Sequence, residues 1–270
     1  MKTYDLYLDE SGEFREGLDE SGGPPFPSQL AGVLAPQGAF DERTAESILR
    51  AAHAAVELEL PAEVHAQTLG KGARFDRLVG ALCDALDARP ELRAVRFVNR
   101  EGVGFGAIEA TYTRMVAELC VRVLEALARE TEDEVGLRLV GARYMVEGQV
   151  QVSESAYARR LEEHLAFAAV RRGLARESSR MKLLGVRLGS GRRWRELQVC
   201  DVLSNASHAG YRKLGAEAKE RLRATFAPFD WTLSVRELDR RLDAHVEDGA
   251  FGLALRTLAE ELVGEALSSD

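Results

Sequence analysis

Short runs of β-favouring residues alternate with segments of helical period along most of this chain, and that alternation restricts its fold more than any other feature. Strand-like runs fall at 4–8, 29–35, 92–99, 135–147 and 181–188, stopped by Gly12, Pro36 and Gly148 where the chain must turn. Helical segments fall at 41–60, 74–88, 108–129, 153–172 and 196–213. In the first, Ala45, Ile48, Leu49, Ala52, Val56 and Leu60 keep one apolar face, and Asp41 stands as its cap. No helix separates the first two strands, so the chain opens like a hairpin. The pattern predicts an α/β domain over 1–213, with a mixed sheet flanked by helices, and a helical extension over 214–270. The apolar stripes of that extension pack back on the domain or form an interface with a protein partner or a second copy.

Three cysteines, Cys83, Cys120 and Cys200, lie far apart in no paired spacing, which excludes a disulfide framework or zinc ribbon and points to a reducing compartment. No apolar run approaches the ~18 residues of a membrane span. The N-terminus lacks the succession of a signal peptide. The expectation is a cytoplasmic protein with no membrane partner. A net charge of -8 argues against a protein that coats duplex DNA, since that affinity comes from neutralising phosphates. The charge is uneven: residues 171–195 hold nine Lys or Arg against one acid, and 214–270 hold seven against twelve. Within the basic band, Arg192, Arg193 and Arg195 offer paired donors to phosphate oxygens, and Trp194 offers a face on which a base can stack. Pairing of the same arginines with the acidic tail is the alternative.

The carboxylates fall at telling places. Asp9 ends the first strand and Glu147 ends the fourth, and the carboxyl ends of strands are where α/β sheets build sites. On the helix at 196–213, Gln198, Asp201, Asn205 and His208 share one face, with amides around a single carboxylate instead of the Lys and Glu of a solvated face. Glu63 and His65 flank Val64 in a Pro-bounded connection. Several acids at strand ends and on a late helix suit a pair of Mg²⁺ or Mn²⁺ ions, which clamp the attacking water and leaving oxygen of a phosphodiester. That placement of acids is the one found in ribonuclease-H-like folds.

The run Tyr-Leu-Asp-Glu-Ser-Gly at 7–12, Glu-Val-His at 63–65 and Leu-Gln-Val-Cys-Asp-Val-Leu-Ser-Asn at 197–205 resemble a bacterial family, domain of unknown function 3800. The resemblance covers about residues 4–213. It implies a ribonuclease-H-like nuclease of a defence or mobile-element setting. Asp9, Glu147 and Asp201 would be catalytic metal ligands, with Glu10 and Glu63 as further ligands. His65, Gln198, Asn205 and His208 would support them. Members commonly carry Asp where Glu147 stands, so the carboxylate here reaches further. A second Asp-Glu-Ser-Gly at 19–22 has no strand before it and reads as loop.

Other chemistries lack their residues. A haloacid-dehalogenase-type phosphatase needs a second Asp where Ser11 stands. No Gly-x4-Gly-Lys-Ser/Thr loop and no Gly-x-Ser-x-Gly elbow is present. The competing reading is a binding module of the same fold that has lost catalysis and holds nucleic acid or a protein.

Overall fold

The computed structural model describes residues 1–12, 14, 27–69, 72–99, 108–142, 154–171, 174, 178–189, 193–208, 214–227 and 229–233. In chain order the elements are β1 (Lys2–Ser11), β2 (Ser28–Pro36), α1 (Glu42–Ala54), α2 (Ala73–Asp87), β3 (Arg93–Asn99), α3 (Ile108–Arg129), β4 (Val135–Ala142), α4 (Glu154–Arg171), β5 (Met181–Gly189), α5 (Arg195–Ser207), α6 (Ala216–Phe226) and β6 (Asp230–Thr232). The strands form one mixed sheet in the order β5-β4-β1-β2-β3-β6. β2 runs antiparallel to both β1 and β3, whereas β4 is parallel to β1 and to β5, and β6 is parallel to β3.

Central placement of β1 follows from its composition. Successive side chains of a strand point to opposite faces, and both faces of β1 are buried from Asp5 to Ser11. Leu6 and Leu8 enter one core with Val95, Phe97, Leu119 and Leu137, under α3 and α4. Tyr7 enters the other with Val33, Ile48, Phe75, Val202 and Phe226, under α1, α2, α5 and α6. The result is a sheet with helices on both faces, as the alternation predicts.

Two helices end earlier than their apolar periods suggest. α1 begins as expected, with the Thr44 N–H donating to Asp41 Oδ1 at 2.8 Å. It closes after Ala54 because Glu57 adopts the left-handed conformation (φ 57°). The N–H groups of Glu57 and Leu58 then bond back to Ala54 O and His53 O, the pattern that normally uses glycine. α5 stops at Ser207, where His208 turns extended, instead of running to residue 213.

The expected extension is helical where it begins and includes a strand further on. α6 packs on α2, with Leu222 and Phe226 in the α1-side core and Arg221 paired to Asp84. Residues 230–232 then form a strand, with Trp231 opposite Phe97 on β3. The β-favouring Trp-Thr pair explains the strand, and the helical period of the preceding residues hides it. The rest of the extension, 234–270, lies outside the described residues. Among the described residues no helix is long and apolar enough to cross a membrane.

Candidate active site between β1 and α5

Strand alternation sorts the first acids. Ser11 bonds to α5, so Asp5, Tyr7, Asp9 and Ser11 face that helix, and Glu10 points with Leu6 and Leu8 to the α3 side. The helix comes unusually near the strand. The Cys200 Sγ lies 3.5 Å from the Tyr7 carbonyl oxygen, and a Cβ on Gly32 of β2 would fall 1.8 Å from that same oxygen. Only small groups fit between β1, β2 and α5.

This approach brings Asp9 and Asp201 together. The Asp9 carboxyl is 5% exposed and held well above the usual carboxylate range, first by burial and then by the charges of Glu10 and Asp201. The two carboxyls neighbour each other, and burial together with the charge of Asp201 favours the protonated form of Asp9. Asp201 is also raised by burial, but its neighbours favour the charged form. Its Oδ2 accepts the Ala66 N–H at 2.7 Å and stands 3.1 Å from His65 Nδ1, and its Oδ1 accepts the Asn205 Nδ2 at 2.7 Å. Asp201 is therefore the carboxyl oriented by its neighbours, and Asp9 the one that burial and adjacent charge push further toward the protonated form.

The loop at 63–66 runs along the polar face of α5 and meets it through its backbone. Besides Ala66, the Val64 N–H donates to Gln198 Oε1 at 3.2 Å. Glu63 itself is exposed, and His65 is half-exposed at the rim. Gln198 is fully buried, and its Oε1 also accepts Arg195 Nη1 at 2.8 Å, so it ties the loop to the start of the helix. His208 is buried, its Nε2 donates to Pro27 O at 2.8 Å, and burial lowers its pKa. It anchors the entry to β2. Of the four predicted supports, Asn205 bonds the Asp201 carboxylate and His65 stands against it, whereas Gln198 and His208 make their bonds elsewhere.

Glu10 lies on the far face of β1, where its charge raises the buried Tyr112 hydroxyl of α3 after burial itself. Glu147 and Arg192 lie outside the described residues. Arg193 is exposed. Arg195 is committed to Gln198. Trp194 is not an open stacking platform: the Arg187 guanidinium stands 4.5 Å over its ring, and a Cβ on Gly189 would lie 2.2 Å from it. Its partners come from β5, which no spacing around residue 194 announces.

Ser11, Gln29 and Ser204 are buried polar residues beside the acids that motif reading passed over. A glutamine at the head of an otherwise apolar strand is the signal that marks Gln29.

Two buried carboxyls that favour a proton can bind a hard cation in its place, or trade protons with a ligand. Among the described residues no group of three or more His, Cys, Asp or Glu side chains is placed to hold a metal ion. No protein-family model matches the chain, and no curated protein matches it.

Proposed function

We propose that the protein is a divalent-metal-dependent nuclease that hydrolyses phosphodiester bonds of DNA or RNA at the Asp9–Asp201 pair. The observation that carries this reading is the meeting of those two carboxyls across the β1–α5 contact, where burial and their mutual charge push both toward the protonated form. Such a place is short of positive charge, and oxygen donors of this kind suit Mg²⁺ or Mn²⁺. Asp9 and Asp201 would hold the ion, with Glu147 as the third carboxylate and a second ion completing the pair. When bound, such ions supply a nucleophilic water at neutral pH and neutralise charge on the leaving oxygen.

The chain's own residues do the positioning. Asn205, the Ala66 N–H and His65 fix the Asp201 carboxylate from three sides. Burial of Asp9 excludes bulk water from its side of the pair. Arg193, exposed just before α5, would meet substrate phosphate, and Arg192 is its neighbour in sequence. The sheet supports a ribonuclease-H-like reading: an antiparallel β1-β2-β3 meander continues on its β1 side into parallel β4 and β5. That reading and the motif resemblance to the domain-of-unknown-function 3800 family point to the same acids.

One observation favours a second reading. Only a pair of carboxyls, not a group of three metal donors, meets among the described residues, as expected of a fold-mate that binds nucleic acid or protein without cutting. Labelled single- and double-stranded DNA and RNA, incubated with Mn²⁺ or Mg²⁺, separate the two. Cleavage by wild type that Asp9→Asn abolishes supports the nuclease. Binding without cleavage on every substrate supports the module.

A further inference from the structure

Asp201 faces Asp9 only if α5 is set at the right rotation and height on the sheet. One residue of rotation on an α-helix is about 100°, enough to carry the carboxylate away. The apolar contacts of Val199, Val202 and Leu203 hold the helix down but have no direction. Direction comes from a buried polar clamp one step from the acids.

The clamp is built on a carbonyl that lacks its backbone donor. In the last turn of α5 the His208 N–H goes to Asn205 O, leaving Ser204 O without its helical N–H, with Ser207 Oγ at 3.1 Å from it within the helix. Gln29 supplies the donor from the sheet: its Nε2 donates to Ser204 O at 2.6 Å and to Ser207 Oγ at 2.7 Å. Ser11 Oγ donates to the same carbonyl at 3.3 Å and accepts from Ser204 Oγ at 3.1 Å. Ser11 and Gln29 are directly opposite each other in the β1–β2 ladder, and Asp9 opposite Ala31 is the next pair on the same face. On the helix, Ser204 lies one turn beyond Asp201. The clamp and the acid pair therefore occupy neighbouring rungs of one strand–helix contact.

We propose that Gln29 and Ser204 are positioning residues that set the rotation of α5 and thereby hold Asp201 against Asp9. The role rests on the reading of Asp9 and Asp201 as the working pair. Loss of the clamp lets α5 turn or slide while the apolar core keeps the protein folded.

A thermal double-mutant cycle in EDTA at pH 8 tests the placement without metal or activity. At pH 8 a raised Asp9 costs stability, either in charging it beside Asp201 or in holding its proton, so Asp9→Asn removes that cost and raises the wild-type Tm by about 2–4 °C or more. With Gln29→Leu, or the milder Ser11→Ala, that gain shrinks to less than half, because Asp201 no longer faces residue 9. An undiminished gain in both variants overturns the proposal, since a purely structural clamp lowers Tm by the same amount with Asp or Asn at position 9. No gain in wild type removes the acid pair itself and the proposal with it. In the second arm, Mn²⁺ is titrated against each protein: Gln29→Leu raises the midpoint of stabilisation at least about tenfold. Mn²⁺ that stabilises neither wild type nor variant contradicts the metal reading, and the EDTA cycle still judges the clamp.

Discussion

The Asp9 and Asp201 carboxyls neighbour each other across the β1–α5 contact, joining the first strand of the sheet to a helix near the far end of the described chain. Burial and the nearby charges of Glu10 and Asp201 favour a proton on Asp9.

That proton makes stability depend on pH with a definite sign. Asp9 is raised in the folded state, so between the unfolded aspartate value of about 3.9 and its folded value the native protein binds more protons than the unfolded chain. Stability is then full at the acid end and falls as pH rises through the folded value. Asp201 is shifted the same way. The metal-free protein should melt at a higher temperature at pH 5 than at pH 8, and Asp9→Asn should flatten the difference. A wild-type Tm that rises from pH 5 to pH 8 in EDTA contradicts the assignment.

Asn205→Ala removes the donor to Asp201 Oδ1. The expected result is a roughly tenfold loss of Mn²⁺ affinity, with about 1 kcal/mol of stability lost in EDTA. Unchanged Mn²⁺ affinity by calorimetry would mean that Asn205 only caps the helix turn.

Gly32→Ala tests the closeness of the strand–helix contact. The new methyl meets the Tyr7 carbonyl oxygen, which cannot retreat without moving β1. The substitution should cost roughly 2 kcal/mol or more, read as a denaturant midpoint shifted with little change in slope. A midpoint equal to wild type would show that β1 and β2 have room the structure denies them.

Asp5 and Arg138 make a different use of charge. Arg138 grips Asp5 through Nε and Nη2, both at 2.8 Å, and the Asp5 side chain is 2% exposed. Asp5→Ala should cost about 3 kcal/mol by stranding the guanidinium. Arg50→Ala, which breaks an exposed helix pair with Glu46, should cost no more than about 0.5 kcal/mol. Equal losses in chemical denaturation would refute the distinction.

The elements themselves were largely legible because their periods are clean. α3 occupies 108–129 as its apolar spacing predicts, and β1 carries Leu6, Tyr7 and Leu8 into both cores before Asp9. Asp201 was legible as well, since amides around one acid mark a helix face turned inward. What stayed hidden depends on contacts between distant segments. Nothing in residues 230–232 says that β3 will take them as a sheet edge. Strand alternation turns Glu10 away from Asp201, although the two acids beside each other in the motif look equivalent. His208 shares the polar stripe, but the last turn unwinds and hands it to Pro27. Trp194 reads as exposed until Arg187 arrives from β5. The same applies to Gln29, whose partner is a carbonyl left open only because α5 ends where it does.

If Asp9 and Asp201 together hold a divalent cation, calorimetric titration of Mn²⁺ into the wild-type protein beside Asp9→Asn and Asp201→Asn reads it out. Wild type should show saturable binding with proton release, because the ion displaces the protons that the raised carboxyls favour, and both variants should lose that binding with their folds intact. Binding of equal affinity in wild type and Asp201→Asn, or no binding in any of the three, would contradict it.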